Sequence, residues 1–224
     1  MGKPLAIVAG AGPGLGQSLV SAFNQDGYAA FGLNRTIPPR ANRILQVDLA
    51  DPQHTQAKLR NIICTHGAPR LVVQNTAKLV ISAFEETSIE DFEATWRAMV
   101  LSTVNLASRV LPAMVDTGGG TFIVSGATAS LRGGKNFAAF ASAKAGLRAL
   151  TQSLAREYGP QGVHVVHVIL DGIVDTKASR DLNKMDPSRM MKPRDIADTY
   201  LALANQPQST WTHELDLRPM GEAF

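Results

Sequence analysis

Short runs of apolar residues recur along the chain, separated by stretches with helical spacing. Such runs, bounded by turn residues, are typical of strands buried on both faces of a parallel sheet. The sequence predicts seven strands, at Leu5–Ala9, Ala29–Leu33, Arg43–Val47, Leu71–Gln74, Thr121–Val124, His164–Leu170 and Glu214–Leu217.

Five segments between these runs have helical periodicity, at 14–25, 52–66, 88–115, 138–158 and 194–205. Asp51-Pro52 marks one start as an N-cap followed by proline, and Thr87 with Glu90 has the spacing of a capping box. Strands that alternate with helices of this length predict an α/β fold with a doubly wound parallel sheet of about seven strands. No linker or repeat divides the chain, so residues 1–224 are expected to form one domain.

Composition sets limits on this picture. The 224 residues are 45% hydrophobic and 18% charged, which suits one domain with a substantial core. No apolar run approaches the ~20 residues needed to span a bilayer, and no signal-peptide pattern is present. The single Cys64 excludes an intrachain disulfide, the net charge is only +3 with scattered basic residues, and the histidines lack metal-ligand spacing. We expect a cytoplasmic protein without metal, nucleic-acid or membrane partners.

A glycine-rich stretch directly follows the first predicted strand. Gly10, Gly12, Gly14 and Gly16 precede a helical segment that begins near Leu15. Glycines between a strand and a helix let the backbone approach a pyrophosphate, which the helix N-terminus attracts. An ordinary turn is the alternative, but the context favours a dinucleotide site in a Rossmann-type fold.

The end of the second predicted strand indicates which dinucleotide is bound. NAD-binding folds usually place a carboxylate there for the ribose hydroxyls. From Gly27 to Val47 this chain has no Asp or Glu, and Asn34-Arg35 follows the strand, with Arg40 and Arg43 farther on. A guanidinium suits a 2′-phosphate, so NADP(H) is preferred over NAD(H). Solvated loop arginines are the alternative, most clearly for Arg40 and Arg43.

Three later segments resemble the short-chain dehydrogenase/reductase family. They read GGGTFIVSGATASLRGG, FAAFASAKAGLRALTQSLAREYGPQGVHVVHV and DGIVDT, and Gly10-xxx-Gly14-x-Gly16 resembles the family's glycine motif. Ala9 stands where the family usually has Thr, and Asp171 where it has Pro. The resemblance covers nearly the whole chain and implies an NAD(P)-dependent oxidoreductase scaffold, usually a homodimer or homotetramer paired through helices 88–115 and 138–158.

The resemblance also implies further cofactor-binding residues. Asp48 and Leu49 match the adenine-contacting position, Asn75 matches one residue of the family's N-N-A-G segment, and Ile173, Val174 and Thr176 match the nicotinamide end. Lys144 matches the lysine that binds the nicotinamide ribose. By residue chemistry alone, Asp48 could instead cap a turn, and Asn75 and Thr176 could be turn formers.

The family's proton-donating groups are mostly replaced here, which makes the chain an atypical member by resemblance. The family's Tyr-x-x-x-Lys becomes Phe140 with Lys144, and a phenyl ring cannot donate a proton. Ala127 occupies the serine position thirteen residues before Phe140, with Thr128 and Ser125 as the nearest hydroxyls. Met99 occupies the asparagine position and is expected in the core. None of the three tyrosines in the chain is followed by Lys four residues later.

Two functional hypotheses follow. The first is an NADP(H)-binding protein whose proton relay is degenerate, which is weakly active or acts as a binder or sensor of an unknown small molecule. The second is an active NADPH-dependent carbonyl reductase that uses water, Thr128 or Ser125 as proton donor. Residues 177–192, basic with several methionines, are expected to form a mobile loop on the substrate side, as a lid or a solvated segment.

Overall fold

The computed structural model describes residues 2–38, 41 and 43–222. Seven parallel strands form one sheet in the order β3-β2-β1-β4-β5-β6-β7. This confirms the predicted α/β fold. The strands are β1 Leu5–Ala9, β2 Ala29–Asn34, β3 Ile44–Gln46, β4 Pro69–Gln74, β5 Gly120–Ser125, β6 Val163–Leu170 and β7 Glu214–Leu217.

Helices cover both faces of the sheet and enclose two apolar cores. They are α1 Leu15–Gln25, α2 Pro52–His66, α3 Ile89–Trp96, α4 Ser102–Asp116, α5 Ala138–Tyr158, α6 Lys177–Asn183 and α7 Pro193–Ala204. Helices α2, α4 and α5 pack on one face, where Ile7 and Leu147 are buried. Helices α1 and α7 pack on the other face, where Val8 and Tyr200 are buried. The alternation of Ile7 and Val8 between the cores follows from the two-residue period of a strand.

The segment predicted as one helix over 88–115 is interrupted. A π-helical turn, Arg97–Leu101, lies between α3 and α4. Its N-terminal cap also differs from the prediction, because Ser88 accepts a hydrogen bond from Asp91 N at 3.1 Å while the Thr87 hydroxyl donates to Ala83 O at 2.8 Å. The capping pair therefore lies one residue beyond Thr87 and Glu90.

The long helical stretch Ile89–Asp116 is also the one segment of the described chain apolar enough to cross a bilayer by length and composition. Its most apolar window has a mean hydropathy of 1.4, and half of that window is buried inside the protein. Helix α4 packs against α2 and β4. Core packing therefore accounts for the apolar composition of this helix.

Residues 177–192, expected to form a loop, contain regular secondary structure. They contain α6 and a short 3₁₀ turn, Pro187–Arg189. Met190 and Met191 are buried, and Met191 pairs with Val174 as an isolated parallel bridge. Sequence reasoning underestimated this segment because its anchoring residues are two methionines next to each other, without helical or strand periodicity.

Candidate functional site

The glycine turn between β1 and α1 is tightly packed. Gly10 and Ala11 donate to Leu33 O at 2.8 and 3.1 Å, and Gly10 has a φ of +81°. A Cβ at Gly10 would lie 2.7 Å from the backbone of Asn75, and one at Gly16 would lie 2.6 Å from the Cα of Ala11. Only glycine fits at these two positions, which brings the start of α1 close to the end of β1.

The two remaining glycines differ in what faces them. A Cβ at Gly12 would meet nothing nearer than Asn34 Oδ1 at 3.9 Å, so its backbone faces open space. A Cβ at Gly14 would lie 2.6 Å from Thr176 Cγ2. No side chain of the described residues caps α1, which begins at the half-exposed turn with the buried Leu15. The first N–H groups of α1 therefore have no side-chain cap among the described residues, as is usual where a helix N-terminus binds an anion.

A cavity of about 450 Å³ opens beside this turn at the carboxyl ends of the strands. It is lined by Gly10, Gly12, Leu33, Asn34, Arg35, Val47, Asp48, Leu49, Ala50, Asn75, Thr76, Ala77, Ala94, Arg97, Ala98 and Ser102. Seven of the residues predicted to bind the cofactor therefore meet around one space: Gly10, Gly12, Asn34, Arg35, Asp48, Leu49 and Asn75.

The three arginines predicted near the second strand separate in space. Arg35 lines the cavity and is exposed. Arg43 instead places its guanidinium 5.5 Å from the centre of the Phe31 ring. Arg40 lies outside the described residues. Of the two arginines that the structure describes, Arg35 lies at the cavity and Arg43 does not.

Hydrogen bonds hold three further cavity residues in place. Asp48 Oδ1 accepts from Ala50 N at 3.0 Å, so this carboxylate forms the turn that its residue type allowed. Asn75 Nδ2 donates to Gly10 O at 3.2 Å, which ties the end of β4 to the glycine turn. Leu49 O accepts from Asn105 Nδ2 at 2.9 Å. The turn-forming alternative therefore holds for Asp48, whereas the Asn75 side chain bonds to the distant Gly10, and both residues line the cavity.

Lys144 lies away from this cavity, inside the protein. Its Nζ donates to Ser125 O at 2.7 Å, and the side chain is almost completely buried. Burial penalises the charged ammonium and lowers the pKa of Lys144 to about 8. The lysine is therefore held at the carboxyl end of β5 by a single backbone carbonyl.

Phe140 and Met99 stand where the resemblance places a tyrosine and an asparagine. The Phe140 ring centre lies 5.8 Å from Lys144 Nζ, and Phe137 packs edge-on against Phe140 at 6.5 Å. Met99 is completely buried in the core on the same face of the sheet. Both side chains are apolar, so neither donates to a carbonyl oxygen nor anchors a water chain.

The nearby hydroxyls already have partners. Ser125 Oγ and Tyr200 OH are 2.9 Å apart, and both are buried on the α7 face of the sheet, opposite Lys144. Burial raises the pKa of Tyr200 above its ordinary value, which makes this phenol a poor acid. Thr128 Oγ1 donates its proton to Asp171 Oδ1. Ala127, at the expected serine position, offers only a backbone N–H, which Ser130 Oγ accepts at 3.1 Å.

Asp171, where the family has Pro, forms a polar cluster that sequence reasoning missed. Besides Thr128, its carboxylate contacts Arg218 Nη2 at 3.1 Å, and Arg218 also pairs with Asp216. The three partners come from the ends of β5, β6 and β7. Only the departure from Pro at position 171 signalled this cluster, because Thr128 and Asp171 are 43 positions apart.

The predicted nicotinamide-end residues lie outside the cavity. Thr176 caps α6, since its Oγ1 accepts from Ser179 N at 3.1 Å, while its methyl group covers Gly14. Ile173 O accepts from Met191 N at 2.9 Å, and Val174 pairs with the same residue. The structure thus brings Thr176 to the glycine turn and anchors Ile173 and Val174 on Met191.

Polar residues at the end of β4 were also missed from the sequence. Gln74 Nε2 donates to Ser102 Oγ and Thr103 Oγ1, each at 2.8 Å, and Thr76 Oγ1 donates to Ala98 O at 2.5 Å. These contacts connect the end of β4 to the start of α4 and to the π-helical turn. Arg97, in the same turn, lines the cavity. Ala94, Ala98 and Ser102 recur every four residues and Arg97 lies three residues after Ala94, a spacing that would have placed them on one helix face.

Comparison with known proteins identifies the family of this chain. The family model described as short chain dehydrogenase matches residues 4–187. A protein named as an uncharacterized oxidoreductase in Staphylococcus aureus is 22% identical over 226 residues, covering 96% of this chain and 97% of that protein.

Solved structures share the whole architecture. A short-chain dehydrogenase from Rhodopseudomonas palustris is 30% identical, with a TM-score of 0.80, and covers 96% of this chain and 98% of its own. The protein ElxO with NADP bound is 18% identical, with a TM-score of 0.87 and coverage of 96% and 97%. A tyrosine-to-phenylalanine variant of ElxO with NADPH bound is 19% identical, with a TM-score of 0.85 and coverage of 96% of both chains.

Proposed function

Because the chain belongs to the short-chain dehydrogenase family, we propose that it binds NADP(H) on this oxidoreductase scaffold with a degenerate proton relay. It is then weakly active, or it acts as a binder or sensor of a small molecule. The observation that carries the proposal is the Phe140 ring 5.8 Å from Lys144 Nζ, where a tyrosine hydroxyl is expected.

The residues present fit a dinucleotide. The glycine turn has backbone positions that a Cβ would fill, and Arg35 at the cavity carries a charge that suits a 2′-phosphate. Gly10, Gly12, Gly14, Gly16 and the start of α1 would hold the pyrophosphate, and Asp48, Leu49 and Asn75 the adenosine. Lys144 would bind the nicotinamide ribose, with Ile173, Val174 and Thr176 nearby. When bound, the nicotinamide supplies or accepts a hydride.

Carbonyl reduction also needs a proton donor and hydrogen bonds to the developing alkoxide. Phe140, Ala127 and Met99 offer neither through their side chains. The hydroxyl proton of Thr128 is directed to Asp171, and the hydroxyl of Ser125 is bound to Tyr200. Binding of the dinucleotide is therefore supported better than its turnover, and ElxO offers a parallel, since its tyrosine-to-phenylalanine variant still carries NADPH.

The second candidate is an active NADPH-dependent carbonyl reductase. The retained Lys144, with its pKa lowered to about 8, favours it. Of the three donors considered for this role, Thr128 and Ser125 are committed to other partners, so water is the donor consistent with the hydrogen bonds.

Two measurements on the same preparation test the proposal. Calorimetric titration with NADPH should give saturable binding, whereas a panel of ketones, aldehydes and quinones should cause little or no NADPH oxidation. Absence of NADPH and NADH binding would refute the dinucleotide assignment. Ready oxidation of NADPH would favour the reductase.

A further inference from the structure

One cation at the 450 Å³ cavity is not accounted for by the glycine turn or by Arg35. Arg97 begins the π-helical turn, is exposed, and lines the cavity. Within the described part of the chain, its guanidinium forms neither an ion pair nor a hydrogen bond. By contrast, Arg148 forms a bidentate pair with Glu214 at 2.7 and 2.8 Å.

The helix face next to Arg97 forms a smooth wall. Ala94, Ala98 and Ser102 line the cavity at four-residue intervals and have small side chains. Leu49 and Ala50, which follow β3, line it as well. This combination of a small-residue wall and apolar neighbours suits a flat ring better than a phosphate group.

We infer that Arg97 binds the adenine ring of the dinucleotide by stacking its planar guanidinium on the ring at the rim of the cavity. A guanidinium is planar and weakly hydrated, and it stacks favourably on aromatic faces. The two arginines thus contact different parts of the dinucleotide. Arg35 binds the 2′-phosphate, and Arg97 binds the adenine that NADPH and NADH share. The inference rests on the proposed dinucleotide binding and adds a residue to it.

The π-helical turn supports this division. It is held at Ala98 O, which accepts hydrogen bonds from Thr76 Oγ1 at 2.5 Å and Ser102 Oγ at 2.7 Å. These side chains fix the backbone immediately after Arg97. Isolated π-helical turns are often found at functional sites.

The test compares Arg97→Ala, Arg97→Lys and Arg35→Ala, with Arg60→Ala, an exposed arginine on α2, as matched control. Affinities for NADPH, NADH and adenosine 5′-monophosphate are measured for each variant by calorimetry or ligand-detected NMR, after thermal unfolding shows that each is folded. Arg97→Ala should lower the affinity for all three ligands by the same factor, roughly twofold to thirtyfold. Arg97→Lys should fail to restore affinity because an ammonium does not stack as a planar group, and Arg60→Ala should match wild type.

Three results would overturn the inference: unchanged affinity in Arg97→Ala, a loss confined to NADPH, or full restoration by Arg97→Lys. The last two would mean that Arg97 acts on phosphate through its charge. If wild type binds neither dinucleotide, the proposed function fails together with the inference. If wild type binds both and Arg97→Ala matches Arg60→Ala, the inference alone fails.

Discussion

At the scale of single residues, cofactor preference depends on Arg35. It lines the cavity, whereas Arg43 is stacked on Phe31. A charge-assisted contact with a 2′-phosphate is worth ~1.5–3 kcal/mol, roughly ten- to a hundredfold in affinity. Arg35→Ala should therefore lower the affinity for NADPH by about that factor and leave the affinity for NADH nearly unchanged, as measured by titration. Arg43→Ala is the control, and equal NADPH and NADH affinities in wild type would refute the assignment.

A second residue-scale prediction concerns His167. It is completely buried on β6, and neither ring nitrogen has a hydrogen-bond partner among the described residues. Burial, then repulsion from Lys144, lowers its pKa to about 4, with smaller effects of Glu214, Arg148 and His213. Since the unfolded histidine titrates near 6.5, the unfolded state binds more protons between these values and stability falls as pH drops.

Between pH 6.5 and pH 5 this linkage costs about 1.5 kcal/mol of unfolding free energy. Denaturant unfolding should show that wild type loses more stability over this interval than His167→Leu, by roughly that amount. From pH 7 to pH 7.5 the free energy of unfolding should change by nearly the same amount in wild type and His167→Leu. If the unfolding free energy depended on pH in the same way in both proteins below pH 6.5, the assignment of His167 as buried and neutral would be contradicted.

At the scale of elements, the π-helical turn depends on two hydroxyls from outside it, one after β4 and one at the start of α4. Ala98 O accepts from both Thr76 and Ser102. Removing either hydroxyl should cost about 1 kcal/mol, since the other still satisfies the carbonyl. In the double variant Thr76→Val, Ser102→Ala, the loss of unfolding free energy should exceed the sum of the losses in the two single variants by about 0.5 kcal/mol or more.

Denaturant unfolding of the two single variants and the double variant measures this coupling. Thr65→Val is the matched control, because Thr65 Oγ1 also donates to a helix carbonyl, Asn61 O at 2.9 Å, on an exposed surface. Its stability should stay within about 0.5 kcal/mol of wild type. Strict additivity of Thr76→Val and Ser102→Ala would mean that the two hydroxyls do not share the carbonyl.

The elements also show where sequence reasoning succeeds and where it stops. The strands were predictable because burial on both faces produces continuous apolar runs such as Leu5–Ala9. The glycine turn was predictable because its backbone geometry excludes other residues. The π-helical turn was not predictable, because Thr76 reaches it from the end of β4. The contacts of Asp171 with Thr128 and Arg218 likewise join three strand ends that are distant in sequence.

At the scale of the whole molecule, assembly is a prediction from the surface of α4. Leu101, the last residue of the π-helical turn, and Val104 on α4 are 44% and 42% exposed, whereas Leu106 and Leu147, on the two helices expected to pair, are buried in the core. We expect a homodimer or homotetramer with two-fold symmetry through this surface. Light scattering at micromolar concentration should give a multiple of 23.9 kDa.

Val104→Glu should shift this mass toward the monomer, because a carboxylate would be buried against its symmetry mate. Leu182→Glu, at an apolar position on α6 that is 59% exposed, is the control and should leave the mass unchanged. A wild-type mass of 23.9 kDa would contradict the assembly prediction.

The central claim is that the scaffold binds NADP(H) but lacks a proton relay, so one substitution should not restore activity. Phe140→Tyr returns a hydroxyl beside Lys144, yet Ala127 still offers no side-chain hydrogen bond and Met99 still fills the asparagine position with an apolar group. Groups that act as a unit recover little when only one member is returned. The triple variant Phe140→Tyr, Ala127→Ser, Met99→Asn should oxidise NADPH faster than both wild type and Phe140→Tyr.

The most direct test measures NADPH oxidation with ketones, aldehydes and quinones in wild type, Phe140→Tyr and the triple variant, after NADPH binding is verified in each. The account predicts weak or undetectable turnover for wild type and Phe140→Tyr alike. Wild-type turnover near the ~10 s⁻¹ typical of enzymes, on any of these carbonyls, would contradict it.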